Sequence, residues 1–393
     1  MTRPLLHLLF FFIIHQHKGI SRVGDYRQRE KINFFFPLFF LSFLYTYLMK
    51  RYILLFTTSL AALLIYPSAL FSAPQYEGVM TIQGKPLYIS VHGDNKDLPA
   101  MVCLPFGPGS SSRYLEESLV PLLKKEARLI FVDYTYSGQA IPADAPLIHK
   151  GRSTPGLTAA DHADMILSLM TTLGIDRFGL LGHDYGAFIA LSLLEKAPEK
   201  ILFFIGVNPR INYYDDIRHL IQALYQHMED LSGEESVQGL MAMDKRLTLS
   251  RIMKKAFYSP EDIETLFEII EKNYPLYFYQ PVDKKTEKRV NKAMRTKLFT
   301  PFHSVKTMMP YIYSDDFYMS SKEETLLTLH SLPTLLLWGK ADTYFSSYSY
   351  PPRPLMSTCV IPGAAFFPML ENPQDFKESI VTFLKKVKED NGR

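Results

Sequence analysis

From Gln75 onward, short apolar runs alternate with longer amphipathic stretches. Val79–Ile82 and Pro86–His92 flank Gln83-Gly84-Lys85 and predict a hairpin, since glycine supplies the positive φ that a tight turn requires. Ala100–Leu104, Leu129–Tyr134, Arg177–Leu181 and Lys200–Val207 are apolar runs of strand length. Two helices are expected between them. Tyr114–Glu126 carries Leu115, Leu119, Leu122 and Leu123 at helical spacing, and Thr158–Leu173 is amphipathic. Buried strands joined by helices imply a mostly parallel sheet with helices on both faces. After Asn208-Pro209 the pattern changes, and residues 210–330 read as helices without a convincing strand. Asp215–Leu231 is one helix. Ser259-Pro260-Glu261-Asp262 starts another, with serine as the cap, proline at the first helical position and acids in the first turn. The aromatic, proline-bounded residues 274–281 read as a loop. Strands resume at Thr334–Trp338 and Thr358–Ile361, and Glu371–Val387 closes the chain as an amphipathic helix. The pattern is that of a core at 74–209 and 326–393 interrupted by a helical cap at 210–325. No internal repeat is seen.

The first 73 residues follow another logic. Residues 1–48 hold nine phenylalanines and two acids, Asp25 and Glu30, without helical or strand periodicity. They read as an upstream extension. Met49-Lys50-Arg51 then precedes an apolar run from Tyr52 to about Ile65, and small residues follow up to Ala73. This is the layout of a signal peptide starting at Met49, with an uncleaved anchor over Tyr52–Phe71 as the alternative. A literal reading gives two spans, 32–49 and 52–71, with too short a turn between them. Export to the periplasm or medium, or tethering to a membrane, is the expectation. The 393 residues are 47% hydrophobic and 21% charged, enough for one large or two smaller domains. A net charge of +3 offers no electrostatic case for nucleic acid. Cys103 and Cys359 lie in apolar runs and read as buried free thiols rather than a disulfide or metal pair.

Gly182-His183-Asp184-Tyr185-Gly186 is the most informative stretch. It has the Gly-x-nucleophile-x-Gly spacing of a nucleophile elbow, with strand-like residues before it, helix-like residues after it, and aspartate at its centre. Phe106-Gly107-Pro108-Gly109 follows the Ala100–Leu104 strand, Asp133–Gly138 follows the next, and Leu337-Trp338-Gly339-Lys340-Ala341-Asp342 ends a later one. These four motifs, in this order at strand ends, resemble the α/β-hydrolase fold over residues 76–393. The elbow resembles that of its aspartate-nucleophile branch, the epoxide hydrolases and some dehalogenases. The resemblance implies Asp184 as nucleophile, Asp342 as the acid that orients a histidine, and the N–H groups of Gly107 and Tyr185 as the oxyanion hole. It implies a carbon electrophile as substrate and neither cofactor nor metal.

One position departs from the family. The segment that carries its histidine reads here Pro362-Gly363-Ala364-Ala365-Phe366-Phe367-Pro368-Met369-Leu370-Glu371-Asn372-Pro373. Flanking residues fix the register, and Phe366 fills the histidine slot. Phenylalanine cannot accept a proton, and no histidine follows His330, so the general base is missing. Pro105-Phe106 also replace the family's His-Gly in the oxyanion loop. His183 should point away from the nucleophile and be packed, and His149, His162 and His303 read as surface residues. Tyr213, Tyr214, Tyr274, Tyr277 and Tyr279 resemble the cap tyrosines that polarise an epoxide oxygen, although packing over the cleft is the plainer role. Tyr185, where dehalogenases commonly carry tryptophan, weakens the dehalogenase reading. The Gly-Pro-Gly loop and Tyr-Pro-Leu-Tyr-Phe stretch are also similar to the serine-dependent proline-iminopeptidase branch. Two functions follow. One is an exported hydrolase of small apolar substrates (epoxide, ester or halide) impaired in turnover. The other is an inactive pseudohydrolase that binds a lipid or other apolar ligand.

Overall fold

The computed structural model describes residues 75–93, 95–140, 157–232, 237–272, 311–313, 317–342 and 353–391. The extension at 1–48, the leader at 49–73 and the 274–281 loop lie outside them. So do His149, His303, Tyr274, Tyr277 and Tyr279.

Eight strands form one sheet in the order β1-β2-β4-β3-β5-β6-β7-β8. They are β1 (Tyr76–Ile82), β2 (Lys85–His92), β3 (Ala100–Leu104), β4 (Arg128–Asp133), β5 (Phe178–His183), β6 (Ile201–Val207), β7 (Thr334–Gly339) and β8 (Met356–Ile361). The β1–β2 and β2–β4 pairings are antiparallel and the rest parallel. Gln83 and Gly84 turn the first hairpin with φ of 50° and 76°. Strands β3, β5 and β7 are buried at every residue, as a sheet covered on both faces requires.

Helices α1 (Arg113–Leu123), α2 (Ala159–Thr172) and α3 (Tyr185–Lys196) follow strands β3, β4 and β5. Thr158 caps α2 by a reciprocal box with Asp161. Helix α3 is buried from Tyr185 through Leu194, which places the elbow helix at the centre of the molecule. Between β6 and β7 come α4 (Tyr213–Ser232), α5 (Val237–Met253), α6 (Pro260–Lys272) and the short α7 (Glu323–Thr328). Helix α4 buries Ile217, Leu220, Ile221, Leu224 and Met228, one face at helical spacing. Ser259 Oγ accepts from the Asp262 N–H at 3.3 Å while Asp262 accepts from the Ser259 N–H at 2.9 Å, so the expected cap of α6 is present. The short α8 (Pro368–Glu371) and long α9 (Pro373–Asn391) close the chain. The sheet and the inserted helices share one cluster of buried side chains.

Boundaries move from the sequence reading by one to three residues in most elements. The closing helix starts two residues later, because Asn372 accepts from the Asp375 N–H and caps a second start at Pro373. Cys103 is buried as expected, whereas Cys359 is only half-buried, because β8 is the edge strand; neither forms a disulfide. Among the described residues, no helix is long and apolar enough to cross a membrane.

Candidate active site

The site is assembled where β3, β5, β6 and β7 end. Asp184 closes the turn from β5 into α3 at φ 54°, ψ −112°, a conformation side chains rarely adopt. Its N–H donates to the Val207 carbonyl at 3.0 Å, which ties the turn to the end of β6. The flanking glycines are a packing requirement. A Cβ on Gly186 would lie 2.2 Å from the Leu104 carbonyl oxygen, and one on Gly182 would lie 2.5 Å from the backbone of Ala187. The strain at Asp184 is held by these contacts on both sides.

The Asp184 side chain is 1% exposed. Its Oδ2 accepts the Gly107 N–H at 3.1 Å, and the Tyr185 N–H also stabilises the carboxylate. The two donors expected from the sequence therefore converge on the elbow carboxylate. Its other oxygen, Oδ1, forms an ion pair with Nε of Arg210, which is itself 4% exposed. Burial pushes the Asp184 carboxyl above the usual range, against the opposing pull of Arg210 and the two N–H donors. For Arg210, burial works to lower the pKa, and the negative charge of Asp184, together with Tyr213 and Asp216, more than reverses that effect. The guanidinium also lies 5.1 Å from the centre of the Tyr213 ring.

Arg210 has no counterpart in the sequence reading. The signal was present in strand register: His183 pairs with Val207, so residues just past β6 must lie beside the elbow. Asn208 was missed for the same reason. Its amide donates to Asp342 Oδ2 and, at 3.2 Å, to the Ala365 carbonyl, while its Oδ1 accepts from the Gly339 N–H at 3.3 Å. One asparagine thus fastens the acid loop and the 362–367 segment to the end of β6.

Phe366 is buried among aromatic rings. It lies 4.6 Å from the His183 ring, 4.8 Å from Phe367 and 5.7 Å from Phe106 between centres. Its carbonyl accepts from His183 Nε2 at 2.8 Å. A carbonyl only accepts, so the hydrogen sits on Nε2, and Nδ1 takes the Tyr114 hydroxyl hydrogen at 2.7 Å. The Tyr114 oxygen in turn accepts the Phe106 N–H at 3.0 Å. His183 is a packed, hydrogen-bonded residue, as the sequence suggested. Asp133 ties the start of α1 to the loop after β4: its buried carboxylate accepts from Ser111 Oγ at 3.1 Å, the Ser112 N–H and the Gln139 N–H at 2.8 Å.

His162 corrects a sequence expectation. It is fully buried, not on the surface, because it faces inward on α2 between the rings of Tyr134 (4.9 Å) and Tyr311 (5.6 Å). Burial pushes its pKa down to about 3, so it is neutral. Of the cap tyrosines, Tyr214 is half-buried and donates to the Ala256 carbonyl at 2.9 Å. Tyr213 is 1% exposed, packs against Tyr185, Phe188 and Phe317, and has a hydroxyl without a hydrogen-bond partner. Burial and the negative charge of Asp184 hold that hydroxyl well above the ordinary tyrosine range. A cavity of about 830 Å³ lies at the other end of the sheet, lined among others by Arg128, Arg177 and Lys388, and is separate from the elbow.

A strained strand-turn-helix with an acidic side chain, set at the carboxyl edge of this sheet order beside an acid loop after β7, is the arrangement of an α/β hydrolase. The chain belongs to the alpha/beta hydrolase fold family, whose profile matches residues 99–373. Over 122 residues it is 27% identical to the protein assigned as carbamate hydrolase RutD in Yersinia enterocolitica. That match covers 31% of this chain and 40% of the relative, so it spans well under half of that protein's length. The proline iminopeptidase-related protein of Thermus thermophilus superposes with a TM-score of 0.56 at 20% identity, covering 79% of this chain and 98% of that one. A haloalkane dehalogenase loop variant from Bradyrhizobium elkanii superposes with a TM-score of 0.53 at 14% identity, covering 82% and 100%. At these identities the structural likenesses define the fold alone.

Proposed function

We propose that this protein is an exported α/β hydrolase that attacks small apolar electrophiles through Asp184 and turns over slowly. The observation that carries the reading is the Asp184 carboxylate itself, fixed on the elbow with Oδ2 on the Gly107 N–H. In an aspartate mechanism the carboxylate attacks carbon, the bond to an epoxide oxygen or halide breaks toward that atom, and an alkyl ester remains on the enzyme. Water must then add to the ester carbonyl. The oxyanion formed in that step is the carboxyl oxygen already facing the Gly107 N–H. On this reading the Tyr213 hydroxyl, buried and without a hydrogen-bond partner, is the donor to an epoxide oxygen as it opens, a role supported by its electrostatic coupling to Asp184. Phe366 supplies no base, so the ester is expected to outlive its formation. Asp342, held by Asn208, remains as the acid of the lost pair. The export reading rests on the leader pattern at 49–73.

Intact-protein mass spectrometry after incubation with an aryl epoxide tests this reading. The expected result is a single adduct mapping to Asp184 and absent from Asp184→Asn. Absence of both adduct and turnover across epoxides, haloalkanes and esters would exclude it. A second reading, a pseudohydrolase that binds a lipid or other apolar ligand, is favoured by the Arg210 ion pair, which occupies the attacking oxygen in the resting protein. Lipid co-purifying with a protein that forms no adduct is its signature.

A further inference from the structure

We propose that the cavity at the far end of the sheet from the elbow binds a single-chain anionic amphiphile, a carboxylate head on an unbranched acyl tail. This site is independent of the role of Asp184. Strand β5 separates the two places. Arg177, on the cavity wall, precedes its first residue and Asp184 follows its last, roughly 20 Å apart at the usual rise of an extended strand.

The cavity, of about 830 Å³, is formed by the connections leading into β3, β4 and β5, the start of β6 and the last turns of α9. That volume falls within the range of small-molecule sites, roughly 300–1,000 Å³. Two kinds of surface meet in it. One is apolar, with Leu173, Ile175, Leu202, Phe203, Leu384 and Val387 on the wall. Leu173, Ile175 and Leu202 are only half-buried: they pack on the core and turn their remaining surface to the cavity. The other surface is basic. Lys96, Arg128, Arg177, Lys385 and Lys388 face two acids, Asp97 and Glu126. Five cations against two acids leave an excess of three positive charges, as large as the net charge of +3 on the entire chain. The positive character is therefore concentrated in this hollow.

The cations are also unspent. Among the described residues, none of the five takes part in an ion pair. Arg128 is the most constrained of them, because its Nε is shut off from solvent and has no hydrogen-bond partner. A buried N–H left open costs stability, and native folds rarely leave one so. An anionic head at this guanidinium brings the side chain the acceptors that the fold does not provide, and a carboxylate matches it prong for prong. Charge thus selects the head and the apolar wall selects the tail. A bare inorganic anion leaves the wall wet, and a neutral lipid leaves the cations unpaired. A two-tailed phospholipid is larger than the cavity.

Isothermal titration calorimetry of the full-length protein with sodium decanoate, kept below micelle-forming concentrations, tests the site. Hexanoate and acetate shorten the tail, and decyltrimethylammonium keeps the tail while reversing the charge of the head. Decanoate is expected to bind at least ~10-fold more tightly than hexanoate, because more methylenes are buried, and acetate and the cation are expected not to bind. Arg128→Gln is expected to weaken decanoate ~10-fold, the scale of a hydrogen bond to a charged group. Lys388→Glu, at an exposed position on α9 where a change of charge spares the fold, is expected to weaken it as well. Lys254→Glu, the same change of charge at an exposed position just past α5, is expected to leave it unaltered. Decanoate affinity unchanged in both Arg128→Gln and Lys388→Glu overturns the proposal. So do equal affinities for decanoate and acetate, or for decanoate and the cation. Binding to phosphatidylglycerol vesicles without any binding of decanoate would make this face a membrane contact and overturns it too. None of these outcomes depends on adduct formation at Asp184, which alone decides the role of the elbow.

Discussion

At the residue scale, the site turns on which side chain stands at position 366. Phe366 completes a ring cluster with Phe106, His183 and Phe367, so the position to which the family resemblance assigns a base is here part of the core. The loop carrying Asp342 is tied down, because Asn208 holds both Asp342 and the Ala365 carbonyl. Restoring imidazole should therefore restore the second half-reaction. Phe366→His is expected to accelerate release of an Asp184 ester by ~10²–10⁴-fold, the usual contribution of a positioned base, with a rate that rises as the imidazole loses its proton. Adduct lifetime by stopped incubation and mass spectrometry reads this directly, and an unchanged lifetime would refute it. The elbow turn was legible in the sequence, because it lies inside a short motif whose neighbours fix the register, and the same kind of motif placed Phe366 where the family resemblance expects a histidine. Arg210 was not, since its role depends on strand β6 lying beside β5, a pairing that no local pattern encodes. His162 was misplaced because its polarity was weighed above its position, although its spacing to Ile166 and Leu169 puts it on the buried face of the helix.

At the element scale, the cap of α2 is the clearest local determinant. Thr158 accepts the Asp161 N–H at 3.1 Å, and Asp161 accepts the Thr158 N–H at 2.8 Å, which satisfies two donors that the first turn would otherwise leave open. Helix α2 carries buried His162, Ile166 and Leu169 against the sheet, so fraying here loosens the wall behind Tyr134. Thr158→Ala is expected to cost ~1 kcal/mol at neutral pH, measured by urea denaturation. Burial works to raise the Asp161 carboxyl, but the hydrogen bonds from Thr158 outweigh it and the folded pKa is lowered. Its contribution is therefore complete above the unfolded carboxyl range, near pH ~4, and is lost as pH falls through the folded value. A Thr158→Ala penalty that grew on acidification would contradict this sign. The apolar periodicity revealed every strand of the core and most helices. It placed their ends less well, because caps such as Asn372 before Pro373 act against a pattern that runs through them.

At the scale of the whole molecule, the question is whether the helices between β6 and β7 are a separate body or part of the core. In the sequence they look separate, since the strand pattern stops at Asn208 and resumes at Thr334. Packing says otherwise. Residues 71–393 form one compact unit, and Leu224 of α4 belongs to the same buried cluster as Leu335 of β7. Tyr213 at the start of α4 packs on Tyr185 and Phe188 of the elbow helix, and Tyr311 donates from its hydroxyl to the Thr135 carbonyl after β4. Inserted helices joined to the sheet in this way should not melt first. Leu224→Ala and Leu335→Ala are each expected to cost ~2–5 kcal/mol, the usual loss for a buried leucine, and to lower the same thermal transition. Differential scanning calorimetry distinguishes the cases. One endotherm that shifts in both variants fits a shared core, whereas an early transition moved only by Leu224→Ala would mean that the helices open on their own. The result bears on the chemistry. If helices and sheet unfold together, Tyr213 and Arg210 are held as rigidly as the elbow, and the proposed electrophile would meet a preformed site.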